Sequence, residues 1–142
     1  MANARWSLNG RLYRLARLAR AQREIMKVLE TKLAHEERKI AAVSSKKAEI
    51  DILATRAGAL QPASLPPMLR SLAALEEQLK QIEGEADRLK RRLLEARGRE
   101  KIISTRLRLL RDGAERRIVE EQAMETTLVL MAKASGKRDV LN

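Results

Sequence analysis

Apolar residues recur at alternating steps of four and three along most of the chain. In the first half they run Leu8, Leu12, Leu15, Ala19, Gln22, Met26, Leu29, Leu33, Glu36, Ile40, Val43, Lys47, Ile50 and Ala54. Only Gln22, Glu36 and Lys47 interrupt the apolar character. A mean step of 3.5 residues places such positions on one stripe of an α-helix, the seam by which helices pair in coiled coils. The pattern predicts a first helix over about 8–57, starting at Ser7 or only after Gly10, with Leu18, Ile25 and Leu53 widening the seam. The second half repeats it: Leu72, Leu75, Leu79, Ile82, Ala86, Leu89, Leu93, Ala96, Glu100, Ile103, Leu107, Leu110, Ala114, Arg117, Glu121, Met124, Leu128 and Met131. This predicts a second helix over about 68–134, closed by Gly136 and followed by a frayed tail, 135–142. Gly84, Gly98 and Gly113 lie off the seam and each costs about 1 kcal/mol relative to Ala inside a helix.

Between the two segments lies an uncharged stretch, Gly58–Pro67, that holds all three prolines of the chain. Proline lacks a backbone donor and stops a helix that reaches it from the N-terminal side. Gly58 suits a left-handed helix cap. Ser64 suits the start of the next helix, whose first turn tolerates Pro66 and Pro67. The stretch therefore reads as a corner. The fold class is all-α: two long helices in an antiparallel coiled-coil hairpin, one elongated domain over 1–142. Folding there makes facing residues sum to about 125 in number. At 1.5 Å per residue the helices would run about 75 and 100 Å, so the second overhangs the first. Residues from about Glu121 to Ala134 then face at most Met1–Trp6. Met124, Leu128, Val129, Leu130 and Met131 lie there. They must either recruit Trp6 or bind another protein.

Composition narrows the picture. Phe and Cys are absent, and Trp6 and Tyr13 are the only aromatic residues among 142. Aromatics dominate globular cores, so a compact globule is disfavoured. No disulfide or thiolate site can exist, and no apolar run approaches the ~18 residues of a membrane span. The formal net charge is +11, which favours an acidic partner. It is uneven: residues 5–27 hold seven basic residues and one acidic, and the facing 98–120 hold seven and four. Segments nearer the corner are close to neutral. Arg11, Arg14, Arg17 and Arg20 wind around the outside of the first helix, and Arg106, Arg108 and Arg111 add to them from the second. An Arg-rich, acid-poor start resembles a mitochondrial transit peptide, but the seam continues through it unbroken, which a removable leader would not need.

Chemistry-bearing motifs are missing. His35 is the single histidine, without a second ligand for a metal. No phosphate-binding loop, nucleophile elbow or dinucleotide fingerprint occurs. Neighbouring carboxylates such as Glu36-Glu37 and Glu120-Glu121 point about 100° apart on a helix. The residues imply a non-enzymatic protein without cofactor or metal.

The opening Leu12-Tyr-Arg-Leu-Ala-Arg-Leu-Ala-Arg-Ala-Gln-Arg-Glu24 and the segment Arg106-Leu-Arg-Leu-Leu-Arg-Asp-Gly-Ala-Glu-Arg-Arg-Ile-Val-Glu-Glu-Gln-Ala-Met-Glu-Thr126 resemble a known group. They are similar to the flagellar FliJ and type III secretion YscO stalk proteins. The resemblance implies a stalk comparable to the central shaft of rotary ATPases, binding no nucleotide itself. It implies a cytoplasmic protein at an export apparatus, entering and stimulating a hexameric export ATPase and touching the export gate protein and secretion chaperones. The end where the termini meet would be the counterpart of the shaft end. The corresponding partner-binding residues are Arg11, Arg14, Arg17, Arg20, Arg106, Arg108 and Arg111 at the basic end, and Met124, Leu128 and Met131 on the overhang.

Two other readings stand beside this one. The first is a basic coiled coil that binds nucleic acid or an anionic membrane surface. It lacks stacking aromatics, and a zipper-like DNA binder has no use for the proline corner. The second is a structural coiled coil that dimerises by swapping at the corner.

Overall fold

The computed structural model describes the backbone of residues 2–141, and the side chains of residues 8–58 and 60–136. It consists of α1 (Ala2–Leu60), a 3-10 turn (Pro62–Ser64) and α2 (Leu65–Leu141), with no strand among the described residues. The two helices pack against each other as a hairpin. Every one of the fourteen seam positions of α1 is buried or half-buried, from Leu8 to Ala54, and so are those of α2 from Leu72 to Ala114. Each helix removes its stripe of apolar side chains from water by hiding it against the other.

Both helices exceed the lengths the pattern predicts. The backbone of α1 is already helical at Ala2 and stays so past Gly10 and Gly58. That of α2 continues through Gly136 to Leu141, so the stop at Gly136 and the frayed tail are not observed. No glycine among the described residues has a positive φ. The left-handed cap expected at Gly58 is absent because the reversal happens later. Gln61 adopts φ −143°, ψ 81°, and its N–H donates to the Ala57 carbonyl at 2.6 Å, closing the last turn of α1. Ser64 N–H donates back to the Gln61 carbonyl at 3.1 Å. The Ser64 hydroxyl donates to the Gln61 side-chain oxygen at 3.4 Å instead of capping α2. Pro66 and Pro67 sit in the first turn of α2, where a missing donor is harmless.

The contacts group into two units, 20–100 and a second made of 1–19 with 101–142. In the first, Leu29, Leu89, Leu93 and Ala96 form a buried cluster flanked by Met26 and Leu33. Alanines at 86 and 96 let the backbones approach while leucines fill the spaces beside them. Ion pairs bridge the helices at Arg23–Glu100 (3.4 Å), Glu30–Arg97 (3.5 Å) and Lys47–Glu76 (3.2 Å). The numbers of each pair sum to within about two of 125, the register derived from the seam. Such partly exposed pairs contribute about 0–1 kcal/mol each, so they trim the register and do not drive assembly. Gln22 is a polar, half-buried seam position whose side-chain oxygen is buried with no protein partner among the described residues, an arrangement that opposes stability. Leu18, Ile25 and Leu53, expected to widen the seam, remain about half exposed. Their offset from the contact line exceeds what a single partner helix can cover.

Two stability outcomes follow. Leu93 is 5% exposed and its neighbour Leu94 is 64% exposed. Leu93→Ala should cost about 2–5 kcal/mol in urea unfolding, and Leu94→Ala should stay within about 0.5 kcal/mol. Equal effects would mean that the seam is misassigned. At Gly58 a β-carbon would meet only Leu65 Cδ1, at 3.8 Å, an ordinary contact. Because φ there is already negative, Gly58→Ala should stabilise by about 0.4–1 kcal/mol. A left-handed Gly58 would instead make the same change destabilising.

Candidate functional site

The unit formed by 1–19 and 101–142 holds thirteen basic and six acidic residues in its sequence, a formal net charge of +7. Leu8, Leu12, Leu15, Ala19, Ile103, Leu107, Leu110 and Ala114 supply its covered seam. Because a seam residue recurs every three or four positions, intervening arginines are forced outward along its edges. Arg11, Arg14, Arg17, Arg106, Arg108 and Arg111 are all exposed. Arg14 Nε donates to the Gly10 carbonyl at 3.3 Å. Among the described residues none of the six is ion-paired.

Three of the six meet around one groove of about 480 Å³, lined by Arg11, Arg14, Leu15, Arg106, Leu109 and Leu110. Three leucines and three arginines line it, its surface is mostly apolar, and no carboxylate is in the lining. A smaller groove of about 360 Å³ in the other unit makes a useful contrast. It is lined by Lys46, Glu49, Ile50, Ser71, Ala74, Leu75 and Gln78, which include one cation and one anion. The arginine-lined groove suits a ligand that brings both carboxylates and apolar surface. Each guanidinium is permanently charged and offers a planar fork of donors that matches a carboxylate. Arg17, Arg108 and Arg111 do not line this groove, and Arg20 is exposed in the other unit. The seven arginines singled out from sequence thus divide.

The second feature is bare helix. From Glu115 to Gly136 every residue of α2 is exposed. Met124, Leu128 and Met131 are 66%, 61% and 64% exposed, and Val129 and Leu130 are similarly open. The Trp6 side chain, the internal cover considered from sequence, lies outside the described residues. Exposure sets in earlier than Glu121, already beyond Ala114, and takes in Ile118 and Val119. These two, together with Leu109 and Ile102, were not singled out from the sequence. They lie off the seam, and periodicity ranks only seam positions.

His35 is exposed, and among the described residues no group of three or more His, Cys, Asp or Glu could hold a metal ion. No helix among the described residues is long and apolar enough to cross a membrane. Comparison with known proteins returned no matching family model, no matching curated protein and no matching solved structure.

The exposure of Leu128 separates binding from folding. Leu128→Glu should change stability by no more than about 0.5 kcal/mol while weakening capture of a partner that docks on this face. A large drop in melting temperature would instead make Leu128 part of the internal packing.

Proposed function

We propose that this chain is a non-enzymatic stalk or adaptor of a type III protein export apparatus, flagellar or virulence-associated. It binds and stimulates the hexameric export ATPase and contacts the export gate protein or secretion chaperones. The observation that carries this reading is one unit that combines a groove lined by three arginines and no carboxylate with 22 exposed residues of helix, Glu115–Gly136. An isolated cationic coil gains nothing from such a field, since its like charges repel. A rod that must be recognised along its flank gains both long-range steering and an apolar surface to bury. The seam supplies stiffness, the arginines supply attraction to acidic residues lining a ring, and the bare helix supplies contact area.

The same charge would serve a binder of nucleic acid or anionic membrane. One observation favours that second reading: Tyr13, 69% exposed, stands between Arg11 and Arg14. A single ring is nevertheless short of the repeated stacking platforms on which single-stranded nucleic acid is held.

Titration against the cognate export ATPase and against duplex DNA, at matched salt, discriminates the two. Reversing Arg11, Arg14 and Arg106 to Glu should lower ring binding and ATPase stimulation by about ten-fold or more, with helicity retained because all three are exposed. Added salt should weaken wild-type binding, given a Debye length of about 8 Å at physiological ionic strength. Reversing Lys46, Lys80 and Lys90 should leave ring capture nearly unchanged. Lys47 makes a poorer control, since it is half-buried and paired with Glu76. Tight, steeply salt-dependent DNA binding without any ATPase response would overturn the stalk reading.

A further inference from the structure

One face of α2 has a spacing that reads the same in both directions. Ile102, Arg106, Leu109, Gly113, Arg117, Glu120 and Met124 follow one another at steps of four, three, four, four, three and four. At about 100° per residue all seven fall within roughly 40° of the Gly113 direction; Gly113 is half-buried, and Arg117 and Met124 are seam positions past Ala114, the last covered one. Ile102, Leu109 and Met124 are each more than half exposed. Arg106, Arg117 and Glu120 are exposed, and neither Arg106 nor Glu120 is ion-paired among the described residues. At the centre, a β-carbon built on Gly113 meets nothing within 4 Å.

We propose that this face binds a second copy of the chain, with the two α2 helices crossing antiparallel on a two-fold axis at Gly113. A two-fold axis there turns every position i steps before Gly113 onto the position i steps after it in the partner copy. Arg106 then meets Glu120 and Glu120 meets Arg106, giving two opposite-charge contacts from a single pair of residue types. Ile102 meets Met124 on each side, burying apolar surface that is more than half exposed in the single chain. Leu109 lies under the aliphatic stem of Arg117, whose charged head reaches solvent. Gly113 faces itself, and the missing side chain lets the backbones approach more closely than any other residue would. The occupant is a second copy because the face is complementary to itself in charge, polarity and size, and the contact spans about 33 Å of helix. It cannot be this chain's own overhang: α2 is unbroken through this region, so Met124 cannot fold back onto Ile102. The inference does not rest on the export-stalk reading. It does mean that the dimer covers Arg106 and Met124, two residues of the candidate partner surface.

The test uses the full-length chain in sedimentation equilibrium over a range of concentrations, with helicity followed by circular dichroism. Wild type should associate to a dimer that loosens with salt. Arg106→Glu and Glu120→Arg, separately, should each weaken the dimer on the order of ten-fold or more, because both contacts become like-charged. Mixing the two variants should recover dimer, since the heterodimer again has opposite charges at both contacts. Gly113→Leu should abolish it while raising helical propensity, which excludes loss of fold as the cause. A wild-type chain that stays monomeric throughout overturns the proposal. So do single variants that dimerise like wild type, or a mixture that fails to recover.

Discussion

An isolated helix of this composition has one route to stability: hide its apolar stripe on another helix. In proteins most helical stability comes from burying an amphipathic face rather than from helix propensity. The seam residues of α1 and the first thirteen of α2 meet that requirement, and the chain reversal at Gln61 makes the meeting intramolecular. The buried residues are small or aliphatic, with Leu29, Leu89, Leu93 and Ala96 at the best-packed point. A core only two helices thick has little to spare. A polar residue such as Gln22 on the seam therefore opposes stability, and it is the kind of seam exception that in coiled coils specifies register.

Charge is handled differently in the two units. In 20–100, carboxylates and cations are interleaved and meet both along and between the helices, as at Lys39–Glu36, Arg88–Glu85 and Lys47–Glu76. These pairs are at least partly exposed and individually weak, and thirteen acidic residues offset most of the unit's seventeen basic ones. In the other unit the arginines of the groove have no such counterparts among the described residues. Uncompensated guanidiniums beside exposed leucines destabilise the free protein slightly and give an acidic, partly apolar partner something to gain. The unit least neutralised in charge also contains the longest run of exposed helix.

Most of the architecture is legible in the residue order. The four-three alternation identifies the covered face at every position from Leu8 to Ala54, and the proline stretch locates the reversal. The pairing rule derived from them matches the ion pairs at Arg23–Glu100 and Glu30–Arg97. Helix ends are less legible. Glycine at 10, 58 and 136 reads as punctuation, yet each adopts helical backbone, because glycine permits a left-handed turn without imposing one.

The sequence by itself determined the fold class, the contact face and the excess of positive charge, because each depends on which residue types recur at which spacing. Tertiary structure alone decided which arginines stand together. Arg11, Arg14 and Arg106 share a groove, Arg17, Arg108 and Arg111 do not line it, and Arg20 falls in the other unit. Residues far apart in the chain become neighbours only once the register of two helices is set. Tertiary structure also decided that Ile102, Leu109, Ile118 and Val119 are left open to solvent. Hydrophobicity states that a side chain gains by burial. Whether anything arrives to bury it depends on where the partner helix lies.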